Sequence, residues 1–208
     1  MSSARESLVI LLHGVGASGA DLAPLGGALR PFLPNAAFVS PDAPNPFDAD
    51  PSRRQWFSIV AVNDMNRRER VAEARAGFDR VVAHEIDKAG FGGRLDRVAF
   101  FGFSQGAIMA LDALADGRWP VAAVVAASGR LVLPPGPKAA KATPVLLLHG
   151  DRDDVVPAEE TRQAERLLKG AGLAVEAHVY PGLGHSVSYE GLQAAGKFLS
   201  GKLARQAD

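Results

Sequence analysis

The chain has 208 residues, of which 47% are hydrophobic and 22% charged, which suits one domain over residues 1–208 with a substantial core. Its 23 basic side chains balance 23 acidic ones, so charge offers no basis for binding nucleic acid or an anionic membrane. It has no cysteine, which excludes disulfides, thiolate metal sites and a cysteine nucleophile and fits a reducing compartment.

The apolar stretch at residues 8–12 is too short for a signal peptide, and no other run approaches a membrane span. No stable membrane insertion is expected, and the cytoplasm is the default compartment. In chain order, short apolar runs predict strands at 8–12, 36–40, 97–101, 121–126, 144–148 and 174–179. Between and after them, amphipathic runs predict helices at 21–29, 66–89, 105–115, 158–169 and 189–203. The second helix is the clearest, with Val71, Ala74, Phe78, Val81, Val82, Ile86 and Ala89 at helical spacing. Its opening run, Arg67-Arg68-Glu69-Arg70, carries its own acid and reads as a solvated helix face. This alternation belongs to the α/β class, a mainly parallel sheet with helices on both faces.

Two segments lack a regular pattern. Residues 41–65 are rich in Pro, Asn and Asp yet hold Phe47, Trp56 and Phe57. Residues 128–143, with Pro134-Pro135-Gly136-Pro137, read as an exposed loop. Glycine- or proline-bearing loops follow the strands, which is where an open parallel sheet builds its site.

Gly102-Phe103-Ser104-Gln105-Gly106 lies between the third strand and the third helix. A G-x-S-x-G at such a junction is a nucleophile elbow: the turn strains the serine backbone, and glycines let strand and helix approach. The serine hydroxyl is lifted off the sheet and the helix N-terminus points at it. Such a hydroxyl needs a base, and the base needs a carboxylate to fix its tautomer.

Five histidines compete for the base. His13 and His149 each end an apolar strand in a His-Gly pair and read as structural; His84 lies within the long helix; His178 lies inside the last strand. His185, in the loop Pro181-Gly182-Leu183-Gly184-His185 after that strand, is the candidate. For the acid, the run ending in His149-Gly150 delivers Asp151, Asp153 and Asp154 into one loop. At least one should bond its own turn, and spacing does not separate Asp153 from Asp154. Of the two N–H groups an oxyanion hole needs, one would come from Gln105 and the other from the glycine-rich loop 13–19. That loop lacks both the dinucleotide fingerprint and the P-loop lysine, so nucleotide binding is not expected.

Taken together, the motifs resemble the phospholipase/carboxylesterase group of α/β-hydrolases, which includes small bacterial carboxylesterases and acyl-protein thioesterases. The similarity runs from Leu12-His13-Gly14-Val15-Gly16 through Pro41-Asp42-Ala43-Pro44, Gln55-Trp56-Phe57 and the serine pentapeptide. It continues to His149-Gly150-Asp151-Arg152-Asp153 and Gly184-His185-Ser186-Val187. The resemblance implies an α/β-hydrolase fold of about six to seven strands. Within it Ser104 is the nucleophile, Asp153 the triad acid, His185 the base, and Val15 and Gln105 the oxyanion donors. It implies a serine hydrolase of small-molecule carboxylic esters with small or medium acyl chains, with thioesterase or lysophospholipase activity on the same triad as the alternative. A non-catalytic binding protein that keeps the fold is the alternative of another class. No metal or other cofactor is implied, and a homodimer is left open. Trp56, with Phe57, is expected to wall the acyl pocket; a core position under a long loop is the other reading of Trp56. The chain departs from the family at Ala17, where an Asp is frequent, and at Ser58, where the family has W-F-D. Only seven residues precede Leu8, so the sheet is expected to be trimmed at its N-terminal edge.

Overall fold

The computed structural model describes residues 5–204. In chain order the elements are β1 (Ser7–Leu12), α1 (Gly19–Leu29), β2 (Ala36–Val39), β3 (Asn45–Phe47), β4 (Asp50–Gln55) and α2 (Arg67–Lys88). They continue with β5 (Val98–Phe103), α3 (Gln105–Ala115), β6 (Ala123–Ala127), β7 (Val145–Gly150), α4 (Glu159–Gly170), β8 (Val175–Tyr180) and α5 (Tyr189–Leu203). Six strands form one sheet in the order β2-β1-β5-β6-β7-β8, and every pairing in it is parallel. Among the described residues β2 and β8 are the two edges of this sheet.

Strands β1, β5, β6 and β7 are near-continuous apolar runs because both of their faces are covered. Alternate residues sort into two cores. Leu8, Ile10, Leu12 and Phe100 meet Phe78 of α2 and Met109 of α3 on one face. Val9, Leu11 and Phe101 meet Leu29 of α1 and Leu199 of α5 on the other. Helix α2 buries Val71, Phe78, Val82 and Ile86, the stripe its spacing predicts. Helix α3 has every residue buried. Its Asp112 is held by Arg75 through bonds of 3.0 and 2.9 Å and by Arg118 at 2.7 Å, so the buried carboxylate is paired.

Two expectations need correction. Residues 41–65 contain an antiparallel hairpin, β3–β4, with Asn45 opposite Gln55 and Pro46 opposite Arg54 and a register shift between Pro46 and Phe47. The hairpin docks on the loop after β1, where the Gly16 N–H donates to the Arg54 carbonyl at 2.9 Å and the Arg54 N–H to Ala17 at 3.0 Å. Backbone bonds of this kind leave no apolar alternation in the sequence. Residues 128–143 do form an irregular loop, but not a wholly exposed one: Leu131, Ala139 and Ala140 are buried against the α3 side of the core.

Candidate active site

Ser104 sits between the end of β5 and the start of α3 with φ 52° and ψ −116°. That left-handed φ is costly for a side-chain-bearing residue, by roughly 1–3 kcal/mol, and it persists because the packing around it is fixed. A Cβ on Gly106 would lie 2.1 Å from the Leu12 carbonyl oxygen, and one on Gly102 would lie 2.6 Å from the Ala107 backbone. Neither position accepts a side chain, so α3 presses directly on β1 and β5 and the elbow is locked.

His185 reaches Ser104 from the loop between β8 and α5. Its Nε2 lies 3.0 Å from Ser104 Oγ and its Nδ1 lies 2.8 Å from Asp153 Oδ2. The loop is tied to the end of β7: the Gly182 N–H donates to Asp151 Oδ1 at 2.6 Å and the Arg152 N–H to the Leu183 carbonyl at 2.9 Å. Asp151 is therefore occupied with holding the histidine loop.

The three aspartates that spacing leaves equivalent have different surroundings. Asp153 is buried, whereas Asp151 and Asp154 are exposed. Oδ1 of Asp153 accepts the N–H groups of Val155 and Val156 at 2.9 and 2.8 Å. Burial pushes its pKa up, but the bonds from Val156, His185 and Val155 outweigh burial and hold it below the ordinary carboxylate value. An ionised carboxylate only accepts, so Nδ1 of His185 carries the proton and Nε2 turns a lone pair to Ser104.

The other histidines lie apart from this chain of contacts or support it. His13 is buried; its Nδ1 donates to the Gly14 carbonyl at 2.7 Å and its Nε2 accepts the Ala43 N–H at 2.9 Å. Burial lowers its pKa, with the Gly14 carbonyl only partly opposing, and the neutral ring ties β1 to the start of the hairpin segment. His149 donates from Nε2 to the Val156 carbonyl at 2.7 Å, and its Nδ1 accepts the Thr161 hydroxyl at 2.7 Å. The same Nε2 stands 3.2 Å from Asp153 Oδ2, so His149 flanks the acid. His84 and His178 are exposed on α2 and β8.

A cavity of about 430 Å³ opens over Ser104 and His185, walled by Val15, Ala17, Leu22, Phe103 and Val155. Trp56 and Phe57 are not among its walls. Trp56 is 1% exposed in the core, its indole edge-on to Phe78 with ring centroids 5.3 Å apart. Phe57 is also buried and lines a separate small cavity with Arg70 and Glu73 of α2. Trp56 and Phe57 thus occupy the core position that was the other reading of Trp56, in the cluster that β1 and β5 share with α2 and α3. The side chains that do wall the cavity over Ser104 are not singled out for that role by the sequence reading, although Phe103 stands inside the serine pentapeptide and Val155 directly follows the aspartate cluster. Of the two expected oxyanion donors, Val15 lies on the cavity wall, and the N–H of Gln105 opens α3, where no earlier helical carbonyl can take it.

A family model described as phospholipase/carboxylesterase matches residues 2–203. The chain is 32% identical to esterase YpfH of Escherichia coli strain K12, covering 91% of this chain and 80% of that one. It is also 32% identical to acyl-protein thioesterase 1 of Neurospora crassa, covering 98% of this chain and 90% of that one. Among solved structures, esterase PE8 superposes with a TM-score of 0.87 at 36% identity, covering 97% of this chain and 95% of that one. With the family model spanning nearly every residue, the chain belongs to the phospholipase/carboxylesterase family.

Proposed function

We propose that this protein is a serine hydrolase of carboxylic esters with small or medium acyl chains, acting through an acyl-enzyme on Ser104. The observation that carries the reading is the continuous line from Ser104 Oγ through His185, 3.0 Å and then 2.8 Å, to Asp153. His185 Nε2 takes the Ser104 proton as Oγ attacks the ester carbonyl carbon. The carbonyl oxygen gains the negative charge, and the N–H groups of Val15 and Gln105, with the α3 N-terminus, receive it. Collapse breaks the ester C–O bond, and the departing alkoxide leaves with the proton from His185. Water then gives a proton to His185 and attacks the acyl carbon. The second collapse breaks the bond to Oγ, which recovers its proton as the acid is released. Each proton and electron pair is accounted for by a side chain or water, so the sequence of steps calls for no metal or cofactor.

The apolar walls contributed by Val15, Leu22, Phe103 and Val155 suit an acyl chain, and about 430 Å³ suits a short or medium one. A thioester would follow the same route with a thiolate leaving group, and the relative named acyl-protein thioesterase supports this as the second reading. The proposed substrate is a small molecule. Among the described residues no helix is long and apolar enough to cross a membrane. The cytoplasmic location read from the cysteine-free sequence remains a proposal for cell fractionation. The activity is tested by p-nitrophenyl esters from acetate to decanoate with matched thioesters. Hydrolysis of the shorter esters is expected. No turnover of any member above the buffer rate would leave only a binding protein that keeps the hydrolase fold.

A further inference from the structure

We propose that two copies of this chain pair through their β8 strands, in antiparallel fashion about a two-fold axis at Ala177. β8 ends the six-stranded sheet, and among the described residues no strand pairs with its outer side. The Val145 N–H donates to the Ala174 carbonyl at 2.9 Å and the Asp151 N–H to the Tyr180 carbonyl at 3.1 Å. Even-numbered residues of β8 therefore direct their backbone groups at β7, and Val175, Ala177 and Val179 turn theirs outward. The opposite edge, β2, has four residues with Pro34 before it and Pro41 after it. β8 has six, runs in unbroken register from Val145↔Val175 to Gly150↔Tyr180, and contains no proline, lysine or bulge. Of the within-strand devices that natural proteins use to block edge pairing, it carries a single charged side chain, Glu176, and that carboxylate has a partner in the register described below.

The side chains specify the occupant and the register. On the α5 face Glu176 and His178 are exposed and border a groove of about 580 Å³, whose α5 wall carries Glu190, Lys197 and Lys202. Acidic and basic groups along this groove are balanced, so the surface can complement its own copy. On the opposite face Val175 and Ala177 pack against the core shared with α4. Centring the axis on Ala177 makes Val175 and Val179 of the second copy a hydrogen-bonded pair, with Ala177 opposite itself. Glu176 then faces His178 of the second copy in the non-hydrogen-bonded positions, where Cα atoms approach to about 4.5 Å, and the axis repeats the pair. Centring on His178 instead would oppose two imidazoles across the axis and leave neither with a carboxylate opposite it. The result is an isologous dimer with one continuous sheet.

Sedimentation velocity over a concentration series is expected to show wild-type protein at twice 21.8 kDa. Ala177→Pro deletes an outward N–H without touching the β7 ladder, so it should weaken the dimer by about tenfold or more while ester turnover and circular dichroism persist. Because the chain has no cysteine, Ala177→Cys supplies a unique reporter. Facing Cα atoms in a hydrogen-bonded pair stand about 5.5 Å apart, within disulfide range, so mild oxidation should crosslink Ala177→Cys faster than His178→Cys. A wild-type monomer at the highest soluble concentration would overturn the proposal. So would a dimer unaffected by Ala177→Pro, or one that crosslinks preferentially through His178→Cys.

Discussion

Trp56 donates its indole N–H to the backbone carbonyl of His13 at 2.9 Å, beneath the loop that carries Val15. Its own backbone N–H donates to Gln105 Oε1 at 2.7 Å, and Gln105 Nε2 donates to the Phe57 carbonyl at 2.7 Å. One buried residue thus joins the end of the hairpin to both segments proposed to form the oxyanion hole. Trp56→Ala is expected to cost about 3–5 kcal/mol of stability, the usual range for emptying a buried aromatic position. Urea denaturation checks this. Preserved stability with an altered ratio of efficiencies between short and long acyl esters would return Trp56 to the acyl pocket.

Acyl-length preference is instead assigned to Leu22 and Val155. A buried methylene is worth about 0.8 kcal/mol, or roughly fourfold in efficiency per carbon in contact. Leu22→Ala should therefore lower kcat/KM for octanoyl relative to acetyl esters by several-fold. An unchanged ratio would place the acyl chain elsewhere.

The acid limb of stability should begin with His13. Burial holds its pKa below the ordinary 6.5, so the folded protein favours the neutral ring. As pH falls below 6.5 the unfolded chain binds a proton that the folded one refuses, and stability declines until the folded pKa is reached. Asp153 acts lower: its folded pKa lies below 3.8, so its contribution is present above 3.8 and is lost as pH falls through the folded value. Melting temperature followed from pH 8 to pH 3 should show a first decline near pH 6.5 that shrinks in His13→Gln. An equal decline in that variant would assign the titration to another group.

Asp153→Asn keeps the shape of the acid but favours the wrong imidazole tautomer, with an expected loss of about 10⁴ in turnover. Asp154→Asn alters an exposed side chain and should leave turnover within about twofold. The reverse order would reassign the acid.

The parts of the fold that were legible from sequence are those in which burial dictates residue type. β1 and β7 are apolar on both faces, and α2 repeats its buried stripe at helical spacing. The β3–β4 hairpin was not legible, because Arg54 bonds the backbone of Gly16 and Ala17 and nothing in the side-chain pattern records it. Ser104 and His185 could be proposed from residue type and loop position. Asp153 could not be separated by spacing, since what distinguishes it is burial and two N–H bonds formed after the chain folds. Trp56 in a proline-rich segment fits wall or core equally until its indole has a partner.

The central claim is that His185 activates Ser104. Its most direct measurement is labelling with a fluorophosphonate probe, followed by mass spectrometry of the peptide that contains Ser104. Wild-type protein should take one label, on Ser104, and both Ser104→Ala and His185→Ala should label slower by at least about 10³ while remaining folded. A label on any other residue, or equal labelling rates in wild type and His185→Ala, would contradict the account.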